Sequence, residues 1–260
     1  MYILAYINKT LPIFTLYLVK TYILLYIMEC SYIYINLDRH IHRKEHMENM
    51  LQTLQLPYER FDAICPTYEE SINTQKLHKR VKGYLQNEDT LSRGIGVIGC
   101  YLSHYHILPK IYNFQEDFIC VLEDDLKFND ITLINVNKII TFLNKNCDWD
   151  MFRIIRNKFD NDESQCFTKY IVNNLPFYKI ETPHYQSIYN NGKNNCINGG
   201  TYFQIINRKK IPKIIDYLEK EDIYNIDAIY STNQLNVFYG FNKYLNVEIN
   251  LFETSIPNEK

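Results

Sequence analysis

The chain has 260 residues, a formal net charge of -2 and a hydrophobic fraction of 46%. A chain of this length fits one domain with a well-buried core, and its composition excludes wholesale disorder. Because the protein is nearly neutral, it has no overall attraction to phosphate backbones, and we expect no nucleic-acid partner.

The first 28 residues form an apolar leader that has two interpretations. Residues 11–28 are strongly apolar but contain Lys20, so they fit an anchor that would give weak membrane association. Met28 stands just before the first predicted strand, and translation starting there is the competing interpretation. We favour a cytoplasmic protein over a membrane-anchored one, and we expect a single domain over residues 29–260.

The N-terminal half predicts strands that alternate with helices. Residues 31–37 are mainly β-branched and aromatic, which predicts a strand. Apolar side chains then recur at spacings of three and four from Met47 to Leu54, which predicts an amphipathic helix that ends before Pro57. Residues 58–64 predict a second strand, whereas residues 66–93 are polar and show no clear period.

The rest of the chain continues this alternation. The predicted elements are a helix over 94–114 that contains Pro109, a strand over 118–122, a helix over 131–143, and strands over 149–155 and 201–206 followed by a helix over 209–220. Residues 157–198 are rich in Asn, Asp and Tyr and predict an irregular insertion over the active-site face. The alternation predicts an α/β fold, in which a central sheet is flanked by helices.

Three consecutive carboxylates, Glu123, Asp124 and Asp125, follow the apolar strand at 118–122. Ligands of open α/β sheets bind beyond the carboxyl ends of the strands. Carboxylates suit a hard divalent cation, and such a cation offsets the charge of a diphosphate. The triplet therefore predicts a metal and diphosphate site, with a solvated acidic turn as the alternative.

A second motif, GCYLSH, covers residues 99–104 and is preceded by Gly94 and Gly96. Glycines at the start of a helix let backbone amides approach an anion. Ser103 and His104 lie one helical turn further on, where they could donate hydrogen bonds to a phosphate or to acceptor hydroxyls. The alternative is a helix with a flexible entry and a serine that faces the core.

Two further sets of residues are weaker candidates for ligand binding. One follows the first predicted strand, and the other precedes the strand at 201–206. Polar residues that follow the first strand could bind a base and phosphates, or could form a capped helix with a charged face; they are Asn36, Asp38, Arg39 and Arg43. Gly199 and Gly200 precede the strand at 201–206 and could allow close approach of a ligand, or could simply form a turn.

Taken in order, these segments resemble glycosyltransferase family 25, which contains lipooligosaccharide and procollagen galactosyltransferases. The resemblance rests on YIYINLDRHIHR at 32–43, ERFDAI at 59–64, IGCYLSH at 98–104, FICVLEDDL at 118–126, GTYFQIINRKKI at 200–211 and YNIDAIYS at 224–231. It implies a GT-A-type fold with a mostly parallel sheet. It also implies inverting, manganese-dependent transfer of galactose or glucose from a UDP-sugar to a glycan, lipid-linked or protein acceptor.

The resemblance also implies a role for each candidate residue. Asp125 and Glu123 would bind the metal, and His104 and Asp227 would be catalytic, with Asp227 as the base. The implied donor contacts are Asn36, Asp38, Arg39, Arg43, Ser103, Glu123 and Asp124, and the implied acceptor contacts are Gly199, Gly200 and Thr201.

Two rival functions remain open at this point. Another metal-dependent enzyme that acts on phosphates would hydrolyse its substrate without an acceptor. A non-catalytic relative would bind glycan or nucleotide without turnover, and Val97 favours this rival because the family usually has glutamate there.

Overall fold

A computed structural model describes residues 30–156, 167–180, 200–232, 234–249 and 251–252. The apolar leader lies outside these residues, and so do parts of the predicted insertion. No helix in the described ranges has both the length and the apolar character needed to cross a membrane.

The first part of the chain builds three parallel strands. β1 (Cys30–Asn36) pairs with β2 (Tyr58–Asp62) on one side. On the other side it pairs with the buried strand that precedes the acidic triplet. Between β1 and β2, α1 (Ile41–Thr53) buries Met47 and Leu51, which belong to the predicted amphipathic stripe. The first strand, this helix and the second strand are confirmed.

Two short helices occupy the stretch in which the sequence showed no clear period. They are α2 (Tyr68–Ile72) and α3 (Lys79–Leu85). Thr67 and Glu70 form a capping box at the start of α2, which is a recognisable sequence signal. Helices of five and seven residues are too short to show a hydrophobic repeat, and this is why periodicity missed them.

The central helix α4 (Leu91–Tyr112) begins before the predicted start and continues through Pro109. Gly94 and Gly96 therefore lie inside the helix and not at its start, where we expected their backbone amides to approach an anion. Gly99 has a packing role, because a Cβ atom at this position would lie 2.6 Å from the carbonyl oxygen of Ile64. The absence of a side chain lets α4 pack against the loop that follows β2.

The buried strand β3 (Phe118–Glu123) leads into the acidic triplet and the short strand β4 (Leu126–Lys127). α5 (Asp130–Asn146) and β5 (Met151–Ile155) then follow, close to their predicted positions. Asn129 caps α5 by accepting hydrogen bonds from the first-turn amides of Ile131 and Thr132.

Residues 167–180 form a β-hairpin, although we expected the segment 157–198 to be irregular. β6 (Phe167–Val172) and β7 (Leu175–Ile180) are joined by Asn173 and Asn174, which have positive φ angles of 48° and 65°. Two successive positive φ angles are typical of a two-residue hairpin turn, and asparagine tolerates them well. The remainder of the insertion lies outside the described residues.

The C-terminal part completes the sheet. It contains β8 (Phe203–Asn207), a 3-10 turn (Arg208–Lys210), α6 (Ile211–Leu218), α7 (Ile226–Ile229), β9 (Val237–Phe241), α8 (Asn242–Leu245) and β10 (Glu248–Ile249). The strand predicted at 201–206 and the helix predicted after it are confirmed, and Pro212 lies in the first turn of α6. β10 pairs with β4 just beyond the triplet.

The eight-stranded sheet has the order β2-β1-β3-β8-β5-β9-β7-β6. β8 and β7 run opposite to the other strands. One hydrophobic core lies between the sheet and α4 with α6, and another lies between the sheet and α1 with α5. The predicted α/β fold, with a mixed, mostly parallel sheet flanked by helices, is confirmed.

Candidate functional site

A cleft of about 560 Å³ opens where β1 and β3 end. Because β1 and β3 are parallel, the residues that follow them meet at the same edge of the sheet. α4 forms another wall. The cleft contains eight of the predicted site residues, namely Asn36, Arg39, Arg43, Ser103, His104, Glu123, Asp124 and Asp125.

Asp124 is held by two partners from the first βα unit. Arg43 Nη1 donates to Asp124 Oδ1 at 2.9 Å, and Asn36 Nδ2 donates to Asp124 Oδ2 at 2.7 Å. The side chains of Arg43 and Asp124 are each only 11% exposed, so this ion pair is well shielded from water. Both carboxylate oxygens are engaged, and Asp124 therefore fixes the triplet against β1 and α1.

The negative charge of Asp125 is poorly compensated by its surroundings. Burial raises the pKa of Asp125 to about 7, and the nearby charges of Glu123 and Asp124 add to this effect, while Arg43 opposes it. Its Oδ1 atom is buried and has no hydrogen-bond partner. A divalent cation would compensate such a group, and the oxygen donors of Asp125 and Glu123 suit a hard cation.

Glu123 lies between α4 and the start of β8. The Thr201 hydroxyl donates to Glu123 Oε1, and His104 Nε2 lies 3.6 Å from the same oxygen. Behind His104, Gln204 Nε2 is 3.4 Å from His104 Nδ1 and also donates to the carbonyl of Thr201 at 3.0 Å. These contacts bring His104 and Thr201 to the triplet.

Ser103 is buried and makes two structural hydrogen bonds. Its hydroxyl donates to the carbonyl of Gly99 at 2.7 Å and accepts from the amide of Ile64 at 2.8 Å. These bonds tie the loop after β2 to α4. Ser103 therefore contributes to the wall of the cleft while its hydroxyl holds this wall together.

The structure separates Asp38 from the other residues of its group. The Asp38 side chain is 82% exposed, forms an ion pair with Arg60 and does not line the cleft. Arg39 lies at the cleft, where its Nη1 atom is 3.2 Å from Cys65 Sγ. Arg60, which sequence analysis missed, also donates to Asn36 Oδ1 at 3.1 Å and so orients that amide.

Asp227 lies beside Gly200, outside the set of residues that line the cleft. Asp227 Oδ2 accepts from the amide of Gly200 and Oδ1 accepts from the amide of Ala228, each at 2.8 Å. Gly200 has a φ angle of 120°, which favours glycine. Gly199, the other predicted acceptor contact, lies outside the described residues.

A buried arginine supports this part of the site and has no sequence signal beyond its position in a strand. Arg153 of β5 donates to the carbonyls of Gly200 and Asp227, at 2.9 and 3.1 Å. Its guanidinium also lies over the rings of Tyr230 and Tyr239, an arrangement that favours a cation in a desolvated position.

Cys100, which lies in the GCYLSH motif but received no predicted role, and Tyr202, which the sequence analysis missed, also line the cleft. Burial raises the pKa of the Cys100 thiol, and the charges of Glu123 and Asp227 add to the increase. Val97, in contrast, is buried in the core and does not line the cleft. Valine at this position therefore leaves the charged groups of the cleft in place.

Comparisons with known proteins agree with the order of the motifs. The family model described as glycosyltransferase family 25 (LPS biosynthesis protein) matches residues 28–230. A glycosyltransferase 25 family member from Aedes aegypti is 29% identical over 143 residues, which is 53% of this chain and 23% of the relative. Procollagen galactosyltransferase 1-B from Xenopus laevis is 29% identical over 133 residues, covering 50% of this chain and 22% of the relative. The chain thus matches less than a quarter of the length of either relative.

Proposed function

The chain belongs to glycosyltransferase family 25, and we propose that it transfers galactose or glucose from a UDP-sugar to a hydroxyl group of a glycan, lipid-linked or protein acceptor. The proposed transfer is metal-dependent and inverting, on the GT-A-type fold that the resemblance implies. The observation that carries the proposal is the buried, unpartnered Oδ1 atom of Asp125 beside Glu123 at the edge of the sheet.

Asp125 and Glu123 would hold the divalent ion, for which we propose Mn²⁺. Such an ion supplies positive charge that offsets the charge of the departing diphosphate. Asp124 is already bonded to Arg43 and Asn36, so its proposed role is to position the triplet rather than to bind the ion.

The cationic side of the cleft supports binding of the donor. Arg39 and Arg43 both line the cleft on the side of the first βα unit, and guanidinium groups bind phosphate oxygens through charge-assisted hydrogen bonds. Asn36 is oriented by Arg60 and Asp124. Asp38 is the weakest member of the proposed donor set, because its carboxylate is exposed and pairs with Arg60.

An inverting transfer requires a base that removes the proton from the acceptor hydroxyl as the oxygen attacks the sugar. We keep Asp227 in this role, with Gly200 and Thr201 as acceptor contacts and His104 beside Glu123. The amides of Gly200 and Ala228 fix the orientation of the Asp227 carboxylate. Asp227→Asn should abolish transfer while donor binding persists, and wild-type transfer by this variant would assign the base to another residue.

The decisive experiment measures UDP release from UDP-galactose and UDP-glucose with Mn²⁺, with and without a panel of acceptors. Asp125→Asn should remove activity. The matched control is Asp216→Asn, which changes an exposed carboxylate of α6 that forms an ion pair with Lys220 and should leave activity unchanged. Equal activity of Asp125→Asn and the wild type would contradict the proposed site.

The same assay separates the rival functions. A hydrolase that acts on phosphates would release UDP or phosphate at a rate independent of any acceptor. A non-catalytic relative would bind the nucleotide in a thermal-shift assay and release no product. Acceptor-dependent formation of a glycosidic product supports only the transferase.

A further inference from the structure

Cys100, His104 and Glu123 form a cluster of metal-binding side chains beside the proposed Asp125 site. Cys100 and His104 are four residues apart on α4, so their side chains project from the same face of the helix. One ligand atom from each of the three residues lies within 4.8 Å of the other two. The end of β3 brings Glu123 to this helical pair.

The distance between His104 and Glu123 fits a shared ion better than a hydrogen bond. Nε2 and Oε1 are 3.6 Å apart, whereas N–H···O hydrogen bonds span about 2.7–3.2 Å. Two ligands bound at tetrahedral angles, each about 2.0–2.1 Å from one ion, are about 3.4 Å apart. A shift of a few tenths of an ångström would therefore let both atoms bind the same ion.

The ligand types select a different class of metal from that expected at Asp125. Thiolate and imidazole favour zinc and similar borderline-soft ions, whereas carboxylates suit magnesium and manganese. The geometry points to a zinc-class site formed by Cys100, His104 and Glu123, with a fourth position open to the cleft. This site shares Glu123 with the proposed manganese site.

Gln204 lies behind His104 and carries an unpartnered amide oxygen that could support a metal-bound histidine only after the amide turns over. Histidine ligands usually donate their second ring N–H to an acceptor. Gln204 is fully buried, its Oε1 atom has no partner, and its Nε2 atom lies 3.4 Å from His104 Nδ1. Rotating the amide by half a turn would place Oε1 against Nδ1–H, and would give up the Nε2 hydrogen bond to the carbonyl of Thr201.

Sharing of Glu123 has a functional consequence that rests on the proposed function. Zinc bound to Cys100, His104 and Glu123 would remove a ligand from the ion used in transfer. Zinc would therefore inhibit the manganese-dependent reaction in the wild type, and Cys100→Ser would weaken this inhibition.

The test for the site itself uses cobalt, because a cobalt–thiolate bond gives a near-ultraviolet charge-transfer band. The full chain is stripped of metal with a chelator and titrated with Co²⁺ and then with Zn²⁺. We expect one cobalt per chain to produce the band, and zinc to remove it. Cys100→Ser should abolish the band and weaken zinc binding by at least about tenfold.

Cys147→Ser is the matched control, because Cys147 is a half-buried free thiol at the end of α5, away from the cleft. It should keep the band. His104→Gln is a second ligand variant that retains Cys100, and it keeps the test possible if Cys100→Ser fails to fold. This variant should also lose zinc affinity. Absence of the band in the wild type, or an unchanged band in either ligand variant, would overturn the site.

The cobalt measurement needs neither donor nor acceptor, so it is independent of the transfer assay. Transfer activity in a chain without the cobalt band would overturn the zinc-class site and leave the proposed function standing. The band in a chain without transfer activity would support the site and contradict the proposed function.

Discussion

Asp125→Asn should abolish transfer and at the same time stabilise the metal-free protein at neutral pH. In the folded protein the pKa of Asp125 is raised from 3.8 to about 7, chiefly by burial and then by Glu123 and Asp124. Above pH 7 the folded chain must therefore carry an unfavourable negative charge at this position. Asparagine has nearly the same shape and removes the charge.

The size of the effect follows from the shift in pKa. About three pKa units correspond to roughly 4 kcal/mol, and partial hydration of the half-buried carboxylate reduces the expected gain to about 2 kcal/mol. For a domain of this size, about 2 kcal/mol raises the melting temperature by roughly 4–8 °C.

The pH dependence has a definite sign. Between pH 3.8 and about 7 the unfolded chain has already released the Asp125 proton, while the folded chain still holds it. The wild type therefore loses stability from this group as the pH rises through that interval. The advantage of Asp125→Asn should be largest above pH 7 and should shrink progressively toward pH 4.

Urea denaturation in the presence of a chelator, at several pH values, measures this advantage. Asp216→Asn serves as the control and should change stability by less than about 0.5 kcal/mol. Mn²⁺ should raise the melting temperature of the wild type but not that of Asp125→Asn, since only the wild type keeps the proposed ligand. An advantage that is absent at pH 8, or that does not change with pH, would refute this account of Asp125.

Two further predictions concern the residues that hold the site in place. Arg43→Met leaves Asp124 buried without its cation and should lower the free energy of unfolding, measured by urea denaturation, by about 3 kcal/mol. Adding Asp124→Asn should recover part of this loss. A double variant that is no more stable than Arg43→Met would contradict the ion-pair explanation. Gly99→Ala should cost about 1–3 kcal/mol because its Cβ would lie 2.6 Å from the Ile64 carbonyl. Gly83 lies inside α3, and a Cβ atom added there would meet no atom within 4 Å, so Gly83→Ala should raise the free energy of unfolding by about 0.5–1 kcal/mol. Equal changes in the free energy of unfolding for Gly99→Ala and Gly83→Ala would argue against the packing explanation.

Local patterns were sufficient for the main elements of the fold. The apolar run of β3, the helical spacing in α1 and the proline at the start of α6 each act over a few residues, and the structure contains all three. Local chemistry also contained signals that periodicity did not use. The Thr67–Glu70 capping box marks α2, and the Asn173–Asn174 pair marks the turn of the hairpin.

The position of the acidic triplet could be predicted from the sequence, but the contacts of each carboxylate could not. The triplet follows a buried parallel strand, and the ends of such strands meet at one edge, so the sequence alone predicted that the triplet lies at that edge of the sheet. The sequence could not show which carboxylate keeps a buried oxygen without a hydrogen-bond partner. Asp124 is bonded to Asn36 and Arg43, which are 88 and 81 residues away along the chain.

What the sequence determined by itself is therefore the α/β alternation and the position of Glu123, Asp124 and Asp125 at the edge of the sheet. Only the tertiary structure decided that Asp124 is neutralised by an ion pair while the Oδ1 atom of Asp125 is buried without a hydrogen-bond partner. The physical reason is that hydrophobic spacing fixes the face on which a side chain lies. Charge compensation, in contrast, depends on groups that distant segments bring within a few ångströms.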